Sequence, residues 1–252
     1  MKKLLVVIFI PLLIIGLFGS ISAINDDYEE VLAEIEDIYQ QIPDADEQTR
    51  VEMMENIMTT AENLVEEFPH SARVHWEAAK SYGHYNYFAE PENAEEILEQ
   101  GVEYAEKAIE LDPESGKAYF WKAANLGDLA QERGILASLA SVDPIKENLE
   151  KTMELSPDFA PAYDVMARLY MEAPGWPLSI GDEEKSLEYR KKSIQLAPEA
   201  STYRWRLYET YLELGEEEKA EEVLEDIIAM PAENNLVRED VEEIKRRAEE
   251  NL

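Results

Sequence analysis

Five short stretches decide the fold: LVEEFP (64–69), AIELDP (108–113), TMELSP (152–157), SIQLAP (193–198) and IIAMP (227–231). In each, an apolar helix end runs into a proline, and successive prolines lie 44, 44, 41 and 33 residues apart. Proline lacks an N–H, cannot continue a helix and holds the residue before it extended. Each interval is therefore one structural unit. Between the prolines, apolar residues recur at three- and four-residue spacing and no long stretch alternates with period two, which predicts an all-α chain. Units of this length holding two helices each form a helical-hairpin solenoid, an α-α superhelix.

The units run over 25–69, 70–113, 114–157, 158–198 and 199–231, followed by a capping helix over 235–251 that is amphipathic through Leu236, Val237, Val241, Ile244 and Ala248. The first helix of a unit carries a small or apolar pair and then a tyrosine: Ala78-Ala79 with Tyr82, Ala123-Ala124, Met166-Ala167 with Tyr170, and Leu207-Tyr208 with Tyr211. Small residues let two helices approach, and the ring fills the gap beside them. In the third unit the first helix is predicted to run on through NLGDLAQERGILASLA (125–140), with Asp143-Pro144 opening the next helix as N-cap and N1. In the fourth, Ala173 to Asp182 is too rich in Pro and Gly to be helical.

Composition narrows the function. Among 252 residues, 56 Asp+Glu against 23 Lys+Arg give a charge of −33. Phosphate binding needs clustered cations, so nucleic acid and anionic headgroups are poor partners. Without Cys there is no disulfide framework, thiol chemistry or lipid-carrying cysteine. A 45 % hydrophobic content still supplies an ordinary core.

The amino terminus reads as a leader. Met1-Lys2-Lys3 precedes an uncharged run from Leu4 to Ile24, with small residues at Ser20, Ser22 and Ala23. Residues 1–23 are expected to be a secretory signal cleaved after Ala23 or, uncleaved, an anchor spanning a bilayer. Either predicts export to a periplasm or cell envelope, with membrane contact only through an uncleaved leader.

The last unit resembles the tetratricopeptide repeat, through Leu207, Tyr208, Tyr211, Gly215, Ala220, Leu224 and Pro231. YFWKAANLGDLAQERGILASL, the following DPIKENLEKTMELSP and the PGWPLSIGD loop together resemble the T component of tripartite ATP-independent periplasmic (TRAP) transporters, over about residues 70–231. That resemblance implies an exported repeat protein that binds the transporter's solute-receptor subunit and presents an apolar cleft to a small ligand. The missing Cys departs from the family's usual lipid anchor. A more distant similarity, in repeat layout and loop, is to eukaryotic regulators of microtubule dynamics, against which the bacterial-looking leader argues. The alternative function is a generic envelope scaffold with no small ligand.

In such a superhelix the first helices line the concave face. With Ala78, Ala123, Met166 and Leu207 as equivalents, one position reads Trp76, Trp121, Asp164 and Trp205, and another reads Lys80, Asn125, Arg168 and Glu209. A row of indoles among hydrogen-bonding groups suits a peptide, a helix or an apolar ligand; the same indoles could instead wedge between helices as core, because a one-residue slip in register exchanges the two. Tyr85, Asp128 and the loop residue Trp176 complete the candidate partner-binding set. Tyr85 lies in an aromatic stretch that is a binding rim or interhelical packing, and Trp176 is exposed for binding or tucked onto the repeats. Homo-oligomerisation stays open.

Catalysis finds no constellation. His70, His75 and His84 stand in no HExxH-like spacing, and no GxSxG, phosphate loop or DxDxDG calcium loop occurs. No cofactor or metal is expected. The acidic pairs read as solvated surface, favourable near helix starts. The reading is a non-enzymatic interaction module.

Overall fold

The computed structural model describes residues 27–42, 45–89, 92–230 and 246. The expected leader, Pro231 and, Arg246 apart, the capping helix lie outside the described residues. Among the described residues are ten helices in antiparallel pairs: α1 (Asp27–Gln41) with α2 (Glu47–Glu67), α3 (Ala72–Ala89) with α4 (Ala94–Leu111), α5 (Gly116–Arg133) with α6 (Ile135–Leu155), α7 (Ala160–Glu172) with α8 (Glu183–Leu196), and α9 (Ser201–Glu213) with α10 (Glu217–Ala229). The chain is an all-α, tetratricopeptide-like solenoid.

One joint is built four times. The residues after α2, α4, α6 and α8 are Phe68, Asp112, Ser156 and Ala197, each turned out of the helical region because a proline follows. Each still donates its N–H to the carbonyl four residues back: Leu64, Ala108, Thr152 and Ser193. Each then accepts from the N–H three residues on, at Ser71, Ser115, Phe159 and Ala200, over 3.0 to 3.2 Å. The next helix begins at once. Counting from this joint sets the register, so Ala79, Ala123, Ala167 and Tyr208 are equivalent, and with them Tyr82, Leu126, Tyr170 and Tyr211.

Two local expectations for the third unit are corrected. α5 does not run through 140. Gly134 stops it with a backbone φ of +87°, a conformation residues with a side chain rarely adopt, and its N–H caps Gln131 O at 3.1 Å. α6 then starts at Ile135 with no linker. Nor do Asp143 and Pro144 open a helix, because Pro144 lies inside α6. Pro144 and Ala140 are both exposed, so the carbonyl that the missing N–H frees can turn to water. Buried Val142 and Ile145 carry the apolar stripe across the proline.

The core runs along the stack as successive clusters. Met54, Ile57 and Val74 anchor the first, Phe120, Leu149 and Met166 the third, and Trp205, Leu224 and Ile227 the last. The loop 173–182 is non-helical as expected. Its ends are clamped by Gly181 N–H to Pro174 O and Asp182 N–H to Tyr170 O, both 2.9 Å. A Cβ at Gly181 would collide with the Ala173 carbonyl, so the clamp requires glycine.

Candidate functional site at the seam between the third and fourth helix pairs

The expected row of indoles is corrected by register. Counted from the proline joints, one position holds Trp76, Phe120, Asp164 and Trp205, which are 9, 5, 2 and 7 % exposed and therefore core. Trp121 sits one residue off that position and is half-buried, its ring edge-on to His84 at 5.0 Å and to Phe120 at 5.0 Å. The wedge alternative holds for Trp76 and Trp205.

Of their expected neighbours, Asn125 and Asp164 prove internal, and the others are engaged within the chain. Asn125 is fully buried, its Nδ2 donating to Ala79 O at 3.0 Å and to Trp121 O at 2.8 Å, so that it pins α5 onto α3. Asp164 is buried between Arg190 and Arg206 and bonded to both. Glu209 accepts the Trp205 indole N–H at 2.8 Å. Lys80 pairs with Glu36 at 3.1 Å and lies 4.2 Å over the Tyr39 ring. Tyr85 packs on the first core cluster.

Three candidates gather elsewhere. Arg168 faces Asp128 at 3.6 Å and Glu172 at 4.0 Å along the edge of a cavity of about 300 Å³ between α5, α6 and α7. Trp176 stands in the loop between Pro174 and Leu178, which line the cavity, and is 89 % exposed, not tucked back.

The cavity follows from how the pairs stack. At the joint between the second and third pairs, glycines admit Asn125: a Cβ at Gly101 would lie 2.7 Å from its Oδ1, and one at Gly83 3.0 Å. That seam closes. At the next joint Gly127 takes the position of Gly83, but nothing fills the space above it. A Cβ there would meet only Arg168 Nη2 at 3.8 Å and Ile145 Cδ1 at 3.9 Å. α7 rests on α6 far less extensively than α5 rests on α4, and the gap is the cavity. Its lining is mainly apolar: Ala130 on the α5 side, Leu139 and Val142 on α6, Val165 and Leu169 on α7, and Leu178 from the loop.

Sequence reasoning missed Ile135, Leu136 and Leu178, which are 88, 85 and 67 % exposed. With Trp176 they are most of the strongly exposed large apolar side chains among the described residues, and they cluster in α6's first turn and the loop. Scattered exposed leucines are ordinary, whereas exposed apolar side chains that line an apolar cavity, as Ile135 and Leu178 do, mark a contact surface. The signal that could have found them is Gly134, which ends α5 and leaves Ile135-Leu136 at a bare helix start. Electrostatics at the loop are local: the Lys185 N–H donates to Asp182 at 3.1 Å, holding that carboxyl below its usual range and capping α8. Among the described residues no group of three or more His, Cys, Asp or Glu could hold a metal, and no helix is long and apolar enough to cross a membrane.

Comparison with known proteins adds a family to this geometry. The model of the family described as regulator of microtubule dynamics protein 1-3 matches residues 31–175. Regulator of microtubule dynamics protein 1 of Pongo abelii is 30 % identical over 115 residues, covering 40 % of this chain and 37 % of that protein. Its Bos taurus counterpart is 36 % identical over 70 residues, 28 % of this chain and 22 % of that one. The chain thus spans less than half the length of the curated relatives it matches. A thermophilic tetratricopeptide-repeat protein of Thermus thermophilus, at 14 % identity, aligns over 81 % of this chain and 91 % of its own with a TM-score of 0.61, which shows the fold alone. These matches correct the expected localisation. The relatives are mammalian, from cells without a periplasm, and they point away from the export inferred from the leader.

Proposed function

This chain belongs to the regulator of microtubule dynamics protein 1-3 family, and from that premise we propose that it is a helical-repeat scaffold that binds a protein partner across the seam of α5, α6 and α7. The single observation carrying this reading is the exposed apolar rim: Ile135 and Leu178 line the cavity, and the equally exposed Leu136 and Trp176 lie beside them in α6's first turn and the loop. The role in the relatives' name extends to this chain through such a partner. A surface this acidic favours a basic protein over a direct hold on anionic surfaces. Photo-crosslinking from position 136 or 176 tests it, with exposed Glu110 on α4 as the control position. The same discrete partner should be trapped from both rim positions and not from 110. Adducts that are absent, or identical at all three, refute the reading. A second reading rests on the cavity itself: a small apolar ligand, of the kind the T-component resemblance implies, would occupy the 300 Å³ without any protein.

A further inference from the structure

We propose that the seam receives an amphipathic helix of the partner, with two or three large aliphatic side chains on its buried face and lysine or arginine on its outer face. This rests on the scaffold reading above and specifies the occupant. The shape of the lining points to a helix. On α6 the lining residues Ile135, Ser138, Leu139, Val142 and Ile145 follow helical spacing along one stripe. Ten residues of α-helix make that stripe about 15 Å long, which matches roughly three turns of a docked helix. α7 forms the opposite wall through Val165 and Leu169, with Ala173 just past its end. A trough between two helices is the shape that accepts a third, read by anchors at i, i+4 and i+7.

Volume sets the number of anchors. A dry cavity of about 150 Å³ accommodates one benzene-sized group, so about 300 Å³ takes two or three aliphatic side chains. Gly127 makes the floor deep enough, with no atom within 3.8 Å of where its Cβ would be. Charge sets the outer face. The chain carries −33, and at the cavity Glu172 is exposed while Arg168 is engaged with Asp128 and Glu172. A second copy of the same chain would bring another −33 against this one, which disfavours self-docking.

The test uses the full chain and three probes: a labelled Leu/Lys amphipathic helical peptide, its Leu/Glu counterpart, and 1-dodecanol as a small apolar competitor. The Lys-faced peptide should bind in fluorescence anisotropy, weaken about 10-fold between low and physiological salt, and be displaced by dodecanol; the Glu-faced peptide should not bind. Ile135→Glu and Leu178→Glu, both at exposed positions, should each weaken binding about 10-fold with unchanged thermal unfolding. Gly127→Leu should do so from the floor. Binding that survives all three substitutions, equal binding of both peptides, or uptake of dodecanol with no peptide binding overturns the proposal. If rim crosslinks to a partner still form in that event, the scaffold reading stands and only the helical occupant is wrong.

Discussion

Two helical glycines one seam apart should respond to the same substitution with opposite signs. In Gly127→Ala the new methyl enters the cavity, where its nearest neighbours are 3.8 and 3.9 Å away, ordinary contact distances. Replacing glycine within a helix gains about 1 kcal/mol in propensity, and the buried methyl adds up to about 0.8 kcal/mol. Stability should rise by about 1–2 kcal/mol, which for a chain of this size raises Tm by roughly 3–6 °C. In Gly101→Ala the methyl would lie 2.7 Å from Asn125 Oδ1 and 2.8 Å from its Cγ. That amide cannot swing aside, because its Nδ2 is bonded to Ala79 O and Trp121 O in a fully buried site. Overpacking costs about 1–3 kcal/mol and outweighs the propensity gain, so Tm should fall. Urea and thermal unfolding of the two variants beside the parent decide it. Equal signs, or a loss of more than about 1 kcal/mol at Gly127, would refute the view of one closed seam and one open one.

Other consequences follow from single contacts. Asp164→Asn leaves buried Arg190 without its counter-charge and should cost about 3–5 kcal/mol in urea unfolding; a loss under about 1 kcal/mol would mean the pair is dispensable. Trp205→Ala should lose about 3–5 kcal/mol as a core ring, whereas Trp176→Ala should leave Tm unmoved and reduce crosslinking from position 136. The carboxyls of Asp46 and Asp182 are held low by backbone N–H donors of Thr49 and Lys185. Their folded pKa therefore lies below the unfolded value of about 3.9. The stability they add is complete above that pH and is lost as pH falls through the folded value. Acid unfolding followed by circular dichroism should thus begin below about pH 4, and Asp46→Asn with Asp182→Asn, which keep the caps but cannot titrate, should flatten the decline.

The architecture was legible because its punctuation is local. Proline acts on its own residue and the one before, so the four described joints follow from four prolines whatever the rest of the molecule does. Register within a helix is not local in that way. Aligning Ala123-Ala124 with Ala78-Ala79 by appearance shifted the third unit one residue, made Trp121 the partner of Trp76, and hid Phe120. Counting from Pro113 gives the observed register. Asp143-Pro144 carries a good helix-start signature, yet buried Val142 and Ile145 hold α6 continuous through it, an instance of tertiary packing outweighing a capping preference. The cavity was not legible at all. Gly127 stands in the sequence like Gly83, and only the position of α7 against α6 leaves one glycine filled by Asn125 and the other open. Of the expected site, Arg168 lines that opening, Asp128 pairs with it and Trp176 belongs to the loop that reaches it, an association that depends on contacts between units. The family was legible as the more distant of two similarities, and the leader weighed wrongly against it.

The account stands on the seam between α6 and α7 as the place where a partner is held. Hydrogen exchange of the chain with and without its crosslinked partner tests that most directly. Protection should appear over residues 131–145 and 165–180 and leave α1, α2, α9 and α10 unchanged. Protection confined to the aromatic contacts around Tyr39, His84 and Trp121, with the seam exchanging as in the free chain, would contradict it.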